Sequence, residues 1–220
     1  MVKEVEELYR GAVRCNHCFK SNHALQRARI RLPQPRWVGP AYGNTQPRVL
    51  AVLLNPGDGG EQRIGQESRF ERLLRSFKSG DESLEAVISY ERDDMELWGS
   101  PSGSFLPFYT SGLGLSLDSL AILNLALCST KGNKRPSAML SGCFEKHTRN
   151  LARALRPDVI LLSGTETWRF GLGFLAVLPD ARLVPMHHYA HRKSNEIEAR
   201  DQEIIRSVLA TIGQPSGRTR

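Results

Sequence analysis

The chain has 220 residues, 40% of them hydrophobic and 24% charged, with a formal net charge of +7. That is enough sequence to bury one substantial core. No run reaches the about 18 apolar residues of a membrane-crossing helix, so no membrane partner is expected. The excess of Lys and Arg favours an anionic partner, nucleic acid first.

In chain order, MVKEVEELYRGAVRC carries no apolar signal region, so the expected compartment is cytoplasmic. Residues 1–45 read as an N-terminal arm containing a Cys-x-x-Cys pair, Cys15 and Cys18. RVLAVLL (48–54) is the first continuous apolar run and predicts a strand. SRFERLLRSF (68–77) has helical period, and the acidic DESLEAVISYERDDME (81–96) reads as a solvated helix face. LAILNLAL (120–127) predicts a second strand, with Asn124 its single polar residue. Phe144, His147, Thr148, Leu151 and Leu155 then recur at helical spacing until Pro157 stops the run. DVILLS (158–163) and ARLVPM (181–186) predict two more strands, and EIEARDQEIIRSVLATIG (196–213) a closing helix. Continuous rather than alternating strands, separated by helices, imply a parallel sheet covered on both faces. The expected fold is therefore a three-layer α/β/α sandwich on a mostly parallel four-stranded sheet. A single domain spans 1–213, and 214–220 reads as a flexible tail.

The unusual residues fall directly after those strands, at the edge where open α/β sheets bind ligands. NPGDGG (55–60) follows the first strand, Asn124 lies near the end of the second, Gly164 follows the third, and HHYAHR (187–192) follows the fourth. The first of these also suits an ordinary strand-to-helix turn, and it is no GxxxxGK[ST] phosphate loop, since no Lys follows in place. A buried asparagine needs a partner, because an unpaired amide costs about 1–3 kcal/mol. Its amide also matches uracil, the oxygen accepting N3–H while the nitrogen donates to O4. His187, His188 and His191 share one short loop, and a histidine there suits a leaving group that gains negative charge.

There are four cysteines, Cys15, Cys18, Cys128 and Cys143, the last two with 14 residues between them. In a reducing compartment that pattern points to metal or redox chemistry rather than to disulfides. Zinc is an alternative, with His17 and His23 flanking the first pair, although no second CxxC or HxxxH completes a finger spacing.

Taken together, these pieces resemble the uracil-DNA glycosylase superfamily, most of all its iron–sulfur (type 4-like) branch. The likeness covers roughly residues 15–192: the Cys15–Cys18 pair, YGNTQPRVLAVLL, NPG after the strand, NLALC, the NKRP loop (133–136), Cys143, the LARALRPDVILLSGTETWRFG segment and HHYAHR in place of a His-Pro-Ser motif. The ordered set carries the resemblance; no single piece does. LNPG departs from the Glu-Ala-Pro-Gly of that branch and is similar instead to the mismatch-specific branch, where an asparagine positions the attacking water.

The resemblance implies a DNA repair enzyme that hydrolyses the N-glycosidic bond of uracil, or of a related deaminated base, flipped out of DNA. It implies a structural [4Fe–4S] cluster on Cys15, Cys18, Cys128 and Cys143, with zinc or no metal as the alternative. Asn124 would read the base, and Asn55 with the backbone of Pro56 and Gly57 would hold water. His188 is preferred to His187 for the leaving group, and Phe70 to Phe105 or Phe108 for stacking on the base. Lys131, Lys134, Arg135 and Arg192 would meet DNA phosphates. A monomer is expected. The rival readings are a DNA-binding paralogue without turnover and a glycosylase for hypoxanthine or xanthine.

Overall fold

The computed structural model describes residues 2–20, 30–57, 64–95, 105–130, 132, 134–188 and 195–212. The expected tail, 214–220, lies outside them. The four apolar runs are the strands β1 (Val49–Leu53), β2 (Leu120–Asn124), β3 (Val159–Ser163) and β4 (Arg182–Met186). They form one parallel sheet in the order β2-β1-β3-β4, flanked by helices, which is the α/β class expected. Val49 lies opposite Val159, and Ser163 opposite Met186. Every residue of β1, β2 and β3 is buried, as a parallel sheet with both faces covered requires. β4 ends the sheet, and Pro185 sits exposed on it, where a missing N–H leaves no ladder bond unmade.

The principal helices are α1 (Val2–Val13), α2 (Ile64–Ser79), α3 (Leu84–Met95), α4 (Ser137–Cys143) and α5 (Arg149–Leu155), followed by the short α6 (Thr165–Trp168) and α7 (Gly171–Leu175) and then α8 (Asn195–Ile212). Between α4 and α5 the chain runs without a break through a π-helical turn, Phe144–Thr148. Two compact units form. One comprises Met1–Trp37, Leu53–Asp94 and Leu123–Leu155, the other Val38–Val52, Met95–Ile122 and Arg156–Arg220.

In the first unit the expected N-terminal arm is a packed helix as far as Val13. Val5, Tyr9, Ala12 and Val13 are buried at helical spacing, and α1 packs on α5 and α2. Arg10 bridges to Glu6 at 2.6 Å and lays its guanidinium over the Phe77 ring of α2, 4.3 Å from the centroid. The acidic stretch expected to be solvated is corrected in part. α3 buries Leu84, Val87 and Glu91, and both Glu91 oxygens receive Arg36, one at 2.7 Å. A carboxylate on the inner stripe of that helix is tolerated because a guanidinium meets it there.

In the second unit an antiparallel bridge from Val38 to Ala121, with Gly39 N–H on Leu120 O at 3.0 Å, covers part of the outer edge of β2. α8 packs on β4. Among the described residues no helix is long and apolar enough to cross a membrane.

Candidate functional site

The four cysteines line one pocket of the first unit, beside His17, Lys146 and His147. Cys15 and Cys18 come from the turn that ends α1, Cys128 from the segment after β2, and Cys143 from the last residue of α4. All four are free thiols, the first two half-buried and the last two buried. Burial pushes Cys143 up to about 12, with the neighbouring Cys18 and Cys15 adding to the rise against a lowering hydrogen bond from the Leu127 N–H. Burial raises Cys128 well above the usual thiol range, and Cys143, Cys18 and Cys15 push it further. Cys18 is raised by burial and by Cys15. The electrostatic influence of these sulfurs on one another puts them in one local environment, and an entering metal must displace their protons. His147 is lowered by burial and then by Lys146, and its Nε2 is buried with no hydrogen-bond partner.

Four thiolates are a donor set that either zinc or an iron–sulfur cluster could use. A tetrahedral zinc draws four sulfurs to one point, about 2.3 Å away. A cubane gives each thiolate its own iron and so needs the sulfurs spaced around a larger body. The four thiols surround one pocket, and among the described residues no three His, Cys, Asp or Glu side chains are grouped to hold a metal ion.

The second constellation of the first unit lies where β1 and β2 end. Leu125 N–H donates to Leu53 O at 2.8 Å and Ala126 N–H to Leu54 O at 2.9 Å, so the two chain segments leave the sheet side by side. One leads into Asn55 and the other leaves Asn124. Asn55 is half-buried, and its Nδ2 donates to Pro56 O at 2.9 Å, which commits the nitrogen and leaves the oxygen as the acceptor. Pro56 is buried and Gly57 exposed. Asn124 is 1% exposed, and neither its Oδ1 nor its Nδ2 has a partner. Its backbone carbonyl, by contrast, is held by Thr148 Oγ1 at 3.0 Å.

The second unit carries the histidines. His187 backbone N–H donates to Asp201 Oδ2 at 2.9 Å, and its Nδ1 lies 3.0 Å from Asp201 Oδ1. An ionised carboxylate only accepts, so this contact calls for a proton on Nδ1. Asp201 is 4% exposed and comes from α8. His188 packs its Cβ against Gly164, 3.3 Å from where a side chain there would begin. Gly164 has φ 93° and ψ 156°, a conformation open almost only to glycine.

Other expected site residues stand as follows. Phe70 is buried on α2 with one ring face stacked on Tyr90, centroids 4.8 Å apart and planes 6° from parallel, so that face is not open to a base. Phe105 and Phe108 are fully buried, each against Tyr109. Lys134 and Arg135 are exposed. Lys131, Arg192, His23 and His191 lie outside the described residues.

Three residues that the sequence did not single out for a site now stand beside these: Asp201, Thr148 and His147. Asp201 had a signal, because it shares the buried stripe of α8 with Ile205, one turn on. The chain matches no protein-family model and no curated protein.

Proposed function

We propose that this protein is a DNA glycosylase, acting as a monomer in the cytoplasm, that hydrolyses the N-glycosidic bond of uracil or a related deaminated base flipped out of DNA. The observation that carries the reading is Asn124, a buried amide at a strand end with both polar atoms unpartnered. A structure keeps such a group at about 1–3 kcal/mol, and a uracil edge would satisfy both atoms at once, Oδ1 accepting N3–H and Nδ2 donating to O4. The Asn55 oxygen accepts a hydrogen bond from the attacking water and so directs the water's lone pair at the anomeric carbon. The water oxygen bonds to C1′ as the C1′–N1 bond breaks, the electron pair leaves with the base, and the water's excess proton passes to solvent. For the leaving-group role the second unit offers His187, held at Nδ1 by Asp201. That contact is the reason to test His187 beside His188. Catalysis rests on positioning and electrostatic stabilisation. Lys134 and Arg135 serve as phosphate contacts. Cys15, Cys18, Cys128 and Cys143 would hold a [4Fe–4S] cluster, which when bound supplies a cross-link to the fold.

The test is release of uracil from a labelled oligonucleotide. Wild type should release it, and Asn55→Ala and His187→Ala should each lower kcat by roughly 10²-fold. Asn124→Asp, which as a carboxylate cannot donate to O4, should lose uracil preference. Wild-type protein that binds DNA yet leaves uracil, hypoxanthine and xanthine in place would remove the enzymatic reading.

A further inference from the structure

The unpartnered amide and the thiol pocket meet through one backbone segment and one helix. Asn124 and Cys128 stand at the two ends of that segment, and every residue from Leu120 to Thr130 is buried. Leu127 O accepts from Gln34 N–H at 2.6 Å. Leu127 N–H donates to Cys143 Sγ at 3.3 Å. Thr148 Oγ1 lies 3.0 Å from Asn124 O and 2.9 Å from Leu125 O, so one hydroxyl proton is shared between the two carbonyls that bracket the turn out of β2.

Cys143 and Thr148 are five residues apart. On an α-helix, at 3.6 residues per turn, they would diverge by about 140° around the axis. The π turn Phe144–Thr148, with its wider i→i+5 closure, lets both reach the same segment. His147 belongs to that turn and lines the thiol pocket, and its buried Nε2 lacks a partner. The turn therefore carries a polar group left unsatisfied beside the pocket and a hydroxyl committed to the strand end.

We propose, resting on the base-reading role given to Asn124 above, that Thr148 is a positioning residue through which metal loading of the thiol cage sets the order of the Asn124 strand end. Loading fixes Cys143 at one end of the π turn and Cys128 at one end of the buried segment. Thr148 carries that constraint to the carbonyl of Asn124 itself. The strand end that carries the Asn124 side chain is then held in one position for the base.

The experiment follows hydrogen exchange by mass spectrometry in peptides covering 120–130, with the β3 peptide as reference. It compares iron-loaded wild type, the same protein stripped with a chelator, and iron-loaded Thr148→Val and Thr148→Ser. Stripping, and Thr148→Val with its iron retained, should each speed exchange in 120–130 by about tenfold or more while β3 is unchanged. Thr148→Ser, which keeps the hydroxyl, should restore protection. Uracil release by Thr148→Val should fall in kcat rather than rise in KM. Equal exchange in 120–130 for loaded and stripped wild type overturns the proposal, and so does a loss of protection shared equally by β3. If Thr148→Val fails to fold or to hold iron, the loaded and stripped wild-type pair decides. If no form releases a base, the glycosylase reading falls alone. Protection that follows loading then sustains the coupling, and indifference to loading ends it.

Discussion

At the scale of single residues, Asn124 sets a conflict between stability and use. Its amide is buried without a partner, so an apolar side chain of similar size should fit the site better than the native one. Asn124→Leu is expected to raise the urea midpoint by the equivalent of about 1–3 kcal/mol while abolishing recognition of the base. A lower midpoint would mean that the amide is satisfied in the folded protein and does not wait for a ligand. Asn124 was legible in the sequence because one polar residue interrupts an otherwise apolar strand. Its lack of partners was not, since that depends on which groups from distant stretches fail to reach it. The histidine shows the same limit: HHYAHR was plain in the sequence, but the Asp201 that holds His187 lies fourteen positions beyond it.

At the scale of elements, the strands were readable because a parallel strand buried on both faces is written as an unbroken apolar run. The four expected runs contain the four strands, each a little longer than the strand itself. α3 was harder. Glu91 lies on its inner stripe, and its charge made the whole stretch look solvated, since the Arg36 that neutralises it belongs to a segment read as arm. Glu91→Ala should therefore destabilise the protein by about 3–5 kcal/mol, because it removes the carboxylate that meets a buried guanidinium. Replacing both partners with apolar residues, as in Arg36→Met with Glu91→Leu, should recover most of the loss. Chemical denaturation of the two variants checks this, and equal losses in the single and the double variant would refute it. The π turn had no signature at all in the sequence. Phe144, His147 and Thr148 fit ordinary helical spacing, and only the contacts of Cys143 and Thr148 with one segment reveal the extra residue per turn.

At the scale of the whole molecule, the net charge of +7 was plain from composition and is the reason to look for a polyanion. The two compact units were not, because each is gathered from three separated stretches and no linker marks a boundary. The placement of the cysteines has a consequence in the physics of chain topology. About half of the 220 residues lie between Cys18 and Cys128, yet both sulfurs face one pocket. A filled cage thus acts as a knot tied across a very large loop, and an open loop of that size closes again only against a considerable entropic penalty. If the cage holds a cluster, heat that scatters the four sulfurs releases the iron, and the cage does not refill on cooling. The loaded protein should melt once, at a temperature that climbs with scan rate, and give no second transition on reheating. The stripped protein, with no knot to lose, should melt lower and reversibly. Calorimetry at several scan rates separates the two behaviours, and a loaded protein that melts and recovers like the stripped one would show that nothing ties the loop.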